Sequence, residues 1–213
     1  MGFSAVGSSV FGSTGMTVTP QSLGDIAVVC NANTWQSTDN HYWGLSGGGV
    51  TTWNLLRNTP SNSSTAPFGV AIFWGIITST GAQTLNNGGG SWSGCSMTYQ
   101  EFSSTGSVQE DNGIGAFAIS QGIATSGIYG NIVPSSINEL FIGAFNDYSG
   151  VGVFDLTYSG FVYIGNGSTQ LIYSLDVSYP NSYAPPWSMY SSDNYVIVCG
   201  CLTSPYSNII MSP

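Results

Sequence analysis

Basic residues are almost absent from this sequence. Its 213 residues include ten acidic side chains but a single lysine or arginine, which is Arg57, and the formal net charge is -9. Proteins bind the phosphates of nucleic acids largely through lysine and arginine, and anionic membrane surfaces attract the same side chains. The composition therefore excludes ordinary nucleic-acid binding and charge-driven docking on anionic lipid.

Long hydrophobic segments are also missing. The longest apolar run, Val70 to Ile77, is far shorter than the roughly 20 residues of a membrane-spanning helix. The start of the chain, Met1 to Ser4, has neither the basic segment nor the apolar segment of a secretory signal. We expect no membrane insertion, and either a processed mature chain or a protein that reaches the outside without this export route, as virion components do.

Charged side chains of both signs are scarce. They make up 5% of the residues, against about a quarter in an average soluble domain, yet 13% of the residues are aromatic. Disordered chains are poor in aromatic and β-branched residues, so this composition indicates a folded protein. A surface of hydroxyls, amides and aromatic rings favours a virion or another extracellular surface as its location.

The usual signatures of catalysis are lacking. His41 is the only histidine, and the sequence has no Gly-x-Ser-x-Gly turn, no phosphate-binding loop and no lysine. The remaining enzymatic alternative is a glycosidase, which needs two carboxylates facing a sugar cleft. Glu101 and Glu139 are the candidates for that pair, and Trp35, Trp43 or Trp92 for its aromatic platform. We favour a protein without enzymatic activity and without a cofactor.

The cysteines are few and lie in apolar segments. Cys199 and Cys201 are two residues apart, so on a strand they face the same side and cannot easily bond to each other. Cys30 and Cys95 also lie within strand-like runs. Buried free thiols are the favoured interpretation; a disulfide between distant strands and a metal site are the alternatives.

What the chain does contain is a repeated pattern of short apolar runs and glycine turns. It is most compact at Ser46 to Trp53, where three glycines precede Val-Thr-Thr-Trp, and this segment predicts a strand, a tight turn and a second strand. No segment shows sustained helical periodicity. The pattern predicts an all-β protein, a single antiparallel β-sandwich domain over residues 1–213 that resembles a jelly roll.

Individual strands are predicted from apolar runs bounded by turn residues. The most hydrophobic segment, Phe68 to Thr78, is expected in the centre of a sheet. The other main predictions are Ile26–Asn31, Trp92–Phe102, Glu139–Asn146, Val151–Tyr158, Phe161–Ile164 and Gln170–Val177. Phe117, Ile119, Ile123 and Ile128 lie among glycines and serines and predict several short strands.

Two aromatic segments are candidates for a recognition surface. Residues 178–193 form the longest stretch without periodicity, which predicts a loop stiffened by proline. Its candidate residues are Tyr179, Tyr183, Trp187 and Tyr190. The other aromatic segment runs from Trp35 to Trp43, and its candidate residues are Trp35, Tyr42 and Trp43. Tyrosine and tryptophan bury much area at small entropic cost, which suits recognition. The alternative is that these rings complete the rim of the core.

Both ends of the chain carry apolar residues. Residues 1–20 are either an edge strand or an N-terminal arm, and residues 204–213 form a C-terminal tail containing Ile209 and Ile210. An extended terminal segment can add as a strand to its own sandwich or to that of a neighbour. The tail is therefore expected either to dock on its own domain or to bridge subunits.

Four groups of motifs lie mainly in the first half of the chain: Val18-Thr19-Pro20-Gln21 with Gly24-Asp25, Ser46 to Trp53, Trp74-Gly75 with Thr78 and Gly81, and Gln100-Glu101-Phe102. Together they resemble a group of Gly/Ser/Thr-rich β-sandwich proteins of bacteriophage virions and bacterial surfaces. The resemblance implies a structural or adhesive role on an exposed assembly and no catalytic residues.

The sequence thus predicts a structural or adsorption component of an extracellular assembly, most specifically a phage tail, fibre or capsid-decoration protein. Its expected partners are copies of itself, other virion or surface proteins and a cell-surface glycan. The alternatives are a carbohydrate-binding module, with or without calcium held by loop carboxylates, and a subunit of a bacterial surface filament.

Overall fold

The computed structural model describes residues 2–33, 44–59, 69–87, 95–147, 158–166, 169–177 and 180–204. These residues form fourteen β-strands. The described part of the chain contains no helix long and apolar enough to cross a membrane.

Five strands form the first large sheet, and every neighbouring pair is antiparallel. In spatial order they are β1 (Phe3–Gly12), β8 (Cys95–Ser104), β3 (Ile26–Asn33), β6 (Gly69–Ile76) and β5 (Asn54–Asn58). The predicted strand at Ile26–Asn31 is confirmed. The segment predicted for the centre of a sheet is β6, which lies second from the edge, whereas β3 is central.

The second large sheet is built from the second half of the chain. In spatial order its strands are β10 (Phe117–Ile128), β14 (Pro186–Thr203), β11 (Glu139–Asp147), β13 (Thr169–Val177) and β12 (Val162–Asn166), and β9 (Gln109–Glu110) pairs with the end of β14. These pairs are also antiparallel. The predicted strand at Val151–Tyr158 lies largely outside the described residues.

The main core lies between the two large sheets. Alternate side chains of β3, β6 and β8 meet those of β11, β13 and β14 across the interface, and the rings of Phe102 and Tyr173 touch edge to face at 4.9 Å. The central members from the two sheets are Ile26, Val28, Cys30, Val70, Ile72, Leu140, Ile142, Leu171, Val196 and Val198. Such face-to-face packing of antiparallel sheets confirms the predicted β-sandwich.

Each large sheet is also covered on its outer face. A small sheet of β2 (Met16–Val18), β7 (Gln83–Asn87) and β4 (Leu45–Gly47) packs on the first, burying Ala27, Val29 and Met97. On the second, the segment that follows β10 covers the outward side chains of β11 and β14. Interior strands are therefore apolar on both faces, which explains why β6 and β11 are continuous hydrophobic runs in the sequence.

The N-terminal stretch belongs to this fold. β1 pairs with β8 along most of its length, and Phe3 is buried in the main core. Of the two alternatives for the first residues, the structure shows the edge strand. The tail beyond residue 204 lies outside the described residues.

The glycine turn is confirmed, but the second strand begins at Asn54 rather than within Val50 to Trp53, and the two flanking strands do not pair with each other. Gly47, Gly48 and Gly49 all have positive φ, at 77°, 66° and 77°. β4 pairs with β7 in the small sheet, while Val50 bridges to Ile77 and β5 joins the first large sheet. The turn thus carries the chain from the covering sheet to the sheet that it covers.

This arrangement predicts a difference between two glycine-to-alanine variants. Gly47 and Gly24 both have positive φ, but a methyl group at Gly47 would collide with the carbonyl oxygen of Thr84, whereas one at Gly24 meets nothing within 4 Å. A non-glycine residue in this region costs roughly 1–3 kcal/mol from the backbone alone. Gly47→Ala should therefore lower the free energy of unfolding more than Gly24→Ala in urea titrations. Equal losses would show that the close approach at Gly47 is relaxed at no cost.

Candidate functional site

Three of the seven predicted recognition residues, Tyr183, Trp187 and Tyr190, lie within the described part of the chain. Trp35, Tyr42, Trp43 and Tyr179 lie outside the described residues, and so does Trp92, named above as an aromatic platform. The structure therefore places only the later members of the second segment.

Trp187 is buried, which agrees with the alternative that these rings complete the core, and it lies in a strand where the sequence predicts a loop. The second half of that predicted loop is the beginning of β14, and the Trp187 side chain is only 1% exposed. Its indole packs against Phe145 and Tyr195, at centroid distances of 5.2 and 4.4 Å, and its N–H donates to the Ile128 carbonyl at 3.2 Å. It anchors the outer cover of the second sheet.

Tyr183 and Tyr190 differ in exposure. Tyr183 is half-buried, and its backbone exchanges two hydrogen bonds of 2.9 Å with Ile132. Tyr190 is 68% exposed and lies where residues 189–192 of β14 bulge opposite Thr125. Of the described candidates, Tyr190 is the one that presents most of its ring to solvent.

Glu101 is a structural carboxylate. It lies on β8 and accepts hydrogen bonds from the backbone N–H groups of Gln21, at 2.9 Å, and Ser22, at 3.2 Å. Burial raises the pKa of Glu101, and a hydrogen bond with Asp25 raises it further, whereas the two backbone donors act in the opposite direction. The side chain therefore fastens the connection between β2 and β3 to the first sheet.

Glu139 forms a buried pair with Asp111 beside the second sheet. Asp111 accepts hydrogen bonds from the backbone N–H groups of Gly113 and Ser135, both at 2.8 Å, and from the Ser135 hydroxyl. Glu139 accepts one from the Ser136 N–H at 2.6 Å through Oε1. Its Oε2 is buried and has no hydrogen-bond partner among the described residues.

The two carboxyl groups differ in protonation: Glu139 is the acid of the pair and Asp111 is the carboxylate. Burial raises the pKa of Glu139 to about 8, and the hydrogen bond and negative charge of Asp111 add to the rise. Burial also opposes ionisation of Asp111, but hydrogen bonds from Ser135, Gly113 and Glu139 outweigh it and hold the pKa of Asp111 below its ordinary value. At neutral pH the pair therefore holds one proton, placed on Glu139.

This pair has acid–base chemistry but no access for a substrate. Glu139 is fully buried and Asp111 almost so. Glu101 lies in a different sheet with partners of its own, so the two glutamates do not face one cleft as a glycosidase requires. The described residues also contain no group of three or more histidine, cysteine or acidic side chains that could hold a metal ion.

All four cysteines are buried free thiols. Cys199 and Cys201 face the same outer side of β14, as predicted. Burial raises the pKa of Cys199 to about 12 and also raises the pKa of Cys30 and of Cys95. Because the thiolate is the reactive form, these groups are packed as small hydrophobic side chains rather than set up for chemistry.

The most exposed apolar feature of the described residues is strand β10. It was predicted as several short strands but is one strand of twelve residues, paired on one side with β14. Its large apolar side chains are exposed: Phe117 by 46%, Ile119 by 46%, Ile123 by 71% and Ile128 by 46%. No further strand of the described chain pairs with its other side, so among the described residues β10 is an edge strand.

The inner side chains of β10 are exposed because the first sheet ends before reaching them. Ile119 is opposite Val198, which faces the main core, so Ile119 points toward the same side. The edge strand of the first sheet, β5, packs over β14, so closely that a methyl group added at Gly200 would touch the side chains of Leu56 and Arg57 at 3.4 Å. Beyond it, the Arg57 guanidinium lies 4.4 Å from the centroid of the Phe117 ring. β10 therefore projects past the sandwich.

Other sheet edges are better protected. β5 and β12 have only five residues each, and β5 carries Arg57. β1 is interrupted by a register shift between Val6 and Val10, where Gly7 has positive φ. Short length, charge and bulges are the usual means of blocking edge-to-edge association. β10 has no charged residue and no proline, and its single register shift lies between Ala124 and Ser126.

No protein-family model, curated protein or solved structure matches this chain. The function is therefore argued from the chain's own geometry.

The Asp111–Glu139 pair predicts how stability depends on pH. Because the folded state raises the pKa of Glu139 from 4.5 to about 8, it holds a proton that the unfolded chain releases, and the free energy of unfolding should fall as pH rises through this window. The contribution to the slope is at most about 1.4 kcal/mol per pH unit. Glu139→Gln supplies a permanent donor and should flatten the slope in urea titrations between these pH values. An unchanged slope would place the proton elsewhere.

Burial of the thiols predicts slow labelling. An aromatic disulfide reagent should label neither Cys30 nor Cys95 in the native protein, because both are buried and their pKa values are raised, and should label all four cysteines in urea. Absorbance of the released coloured thiol measures the labelling in the native protein and in urea. Rapid native labelling of Cys30 or Cys95 would mean that the sandwich opens locally.

Proposed function

We propose that the protein is a non-enzymatic structural subunit of an extracellular assembly, such as a bacteriophage virion, and that it self-associates through β10. The observation that carries the proposal is the long, uncharged edge of β10, which no strand of the described residues covers, with its row of exposed apolar side chains. Soluble monomers normally block such an edge, since it is a template for pairing with another chain. Its retention here favours use as an interface.

The backbone provides the attraction. Along an open edge, alternate residues direct N–H and C=O groups outward, and a second strand pairs with them while its side chains meet those of the first. β10 lacks the lysines that would repel a neighbour. No residue of β10 itself is charged, so two copies of this strand would not place like charges opposite each other.

The spacing of the isoleucines fits pairing with a second copy. If two β10 strands pair antiparallel about Gln121, Ile119 of each copy lies opposite Ile123 of the other. The two isoleucines match because each lies two residues from Gln121, on opposite sides of it. A two-fold interface of this kind uses the same patch on both subunits. Cross-strand apolar pairs contribute about 0.2–1 kcal/mol each, in addition to the area that they bury.

Other features support the non-enzymatic part of the proposal and the exposed location. Glu101 and Glu139, the candidates for a glycosidase, are buried and serve as structural partners. The scarcity of charge and the abundance of hydroxyl and aromatic side chains suit a protein that contacts neighbours on a particle or filament. A virion component and a bacterial surface filament would use the same contact between subunits.

A charge placed on the edge tests the proposal. Ile123→Lys should convert an oligomer of the purified chain into monomers in sedimentation velocity, because a lysine opposite an isoleucine across a strand pair would have to be buried. The side chain is 71% exposed in the monomer, so its thermal transition should be nearly unchanged.

Leu23→Lys is the matched control. Leu23 is 67% exposed and lies before β3, away from β10, so this variant should associate like the original chain. A monodisperse monomer at high concentration, with no partner in its native particle, would contradict the proposal. Equal dissociation by both variants would show that association depends on general surface hydrophobicity instead.

A further inference from the structure

A groove at one end of the first sheet is separate from β10. Its volume is about 600 Å³, within the roughly 300–1,000 Å³ of small-molecule sites. Thr51, Thr52 and Asn54 form one wall, residues 104–108 form the other, and Trp74, Ile76 and Thr78 contribute from the β6 side. None of its lining residues is charged.

The floor and part of the wall are held in place by internal contacts. The Trp74 indole N–H donates to Glu110 at 3.4 Å, and Glu110 also pairs with Arg57 at 3.4 Å. Thr78 donates from Oγ1 to the Gly49 carbonyl at 3.2 Å and lies 2.8 Å from Oγ1 of Thr51. Since Thr78 uses its proton on Gly49, Thr51 donates its proton to Thr78 and keeps both of its lone pairs to accept from a ligand.

Other polar groups in the groove make fewer or longer hydrogen bonds within the protein. Ser104 donates to the Gly106 carbonyl at 2.9 Å, and the Asn54 side-chain amide makes only a long contact of 3.5 Å with the Trp74 carbonyl. Thr52 and Ser107 are exposed within the groove. The site therefore combines a fixed, partly apolar floor with hydroxyl and amide groups on both walls.

We infer that this groove binds a neutral oligosaccharide. The hydroxyls of Thr51, Thr52 and Ser107 and the Asn54 amide match the closely spaced donors and acceptors of a sugar. The exposed side chain of Ile76, which lines the groove beside the largely buried Trp74, offers an apolar surface for the C–H groups of a pyranose ring. A charged ligand would find no counter-charge among the lining residues. The inference concerns a different surface from the proposed self-association and does not depend on it.

The test is a titration of the full-length chain, followed in amide NMR spectra, with cellotriose, maltotriose, chitotriose and the anionic trisaccharide sialyllactose. At least one neutral trisaccharide should shift the amides of groove residues with a dissociation constant of about 1 mM or tighter, and sialyllactose should not. The combined variant Thr52→Val with Asn54→Ala should weaken binding about tenfold or more. Thr84→Val, an exposed threonine outside the groove, is the matched control and should bind normally.

A second variant separates binding from folding. Ser107→Trp fills the groove from an exposed position and should abolish the shifts while the thermal transition stays in place. No shift with any neutral trisaccharide, shifts confined to residues outside the groove, or equal binding of sialyllactose would each overturn the inference. So would a Ser107→Trp variant that folds and still binds.

Discussion

The structure depends on covering both faces of each large sheet. Strand side chains alternate between faces, so β3, β6, β8, β11 and β14 present one apolar row to the main core and another outward. Without helices to cover the outer rows in the described part of the chain, the small sheet and the segment after β10 take this role. Where the covering ends, apolar side chains remain exposed to solvent, and among the described residues β10 carries the longest such row.

The few charged residues hold this covering in place. Glu101 binds the connection that leads from the small sheet into β3, and the Asp111–Glu139 pair binds the turns at Gly113 and Ser135 beside β11. Arg57 joins Glu110 and the Phe117 ring where the two sheets meet. A carboxyl group that keeps its proton, or accepts several backbone N–H groups, is less costly to bury than a free charge. Several of the few charged residues in the sequence therefore serve structural contacts within the fold.

Much of the sandwich could be predicted from local pattern, because a strand buried on both faces is a continuous apolar run in the sequence. β3, β6 and β11 were found in this way. β14 was partly missed, since Pro185, Pro186 and the following serines and tyrosines are typical of a loop, and only pairing with β10 on one side and β11 on the other makes the segment a strand. The burial of Trp187 and the pairing of Glu139 with Asp111 depend on residues distant in sequence. Period-two spacing of Phe117, Ile119 and Ile123 was the available signal for β10, and intervening glycine and serine obscured it.

The position of β14 also constrains how the protein is made. Residues 186–203 lie between β10 and β11, which are earlier in the chain and do not pair with each other. Both strands are therefore synthesised before residues 186–203, which join them, and the second sheet cannot be completed until that segment has left the ribosome. Until then the edges of β10 and β11 that β14 occupies in the native fold lack this partner, and backbone pairing alone does not distinguish β14 from an extended segment of a neighbouring chain.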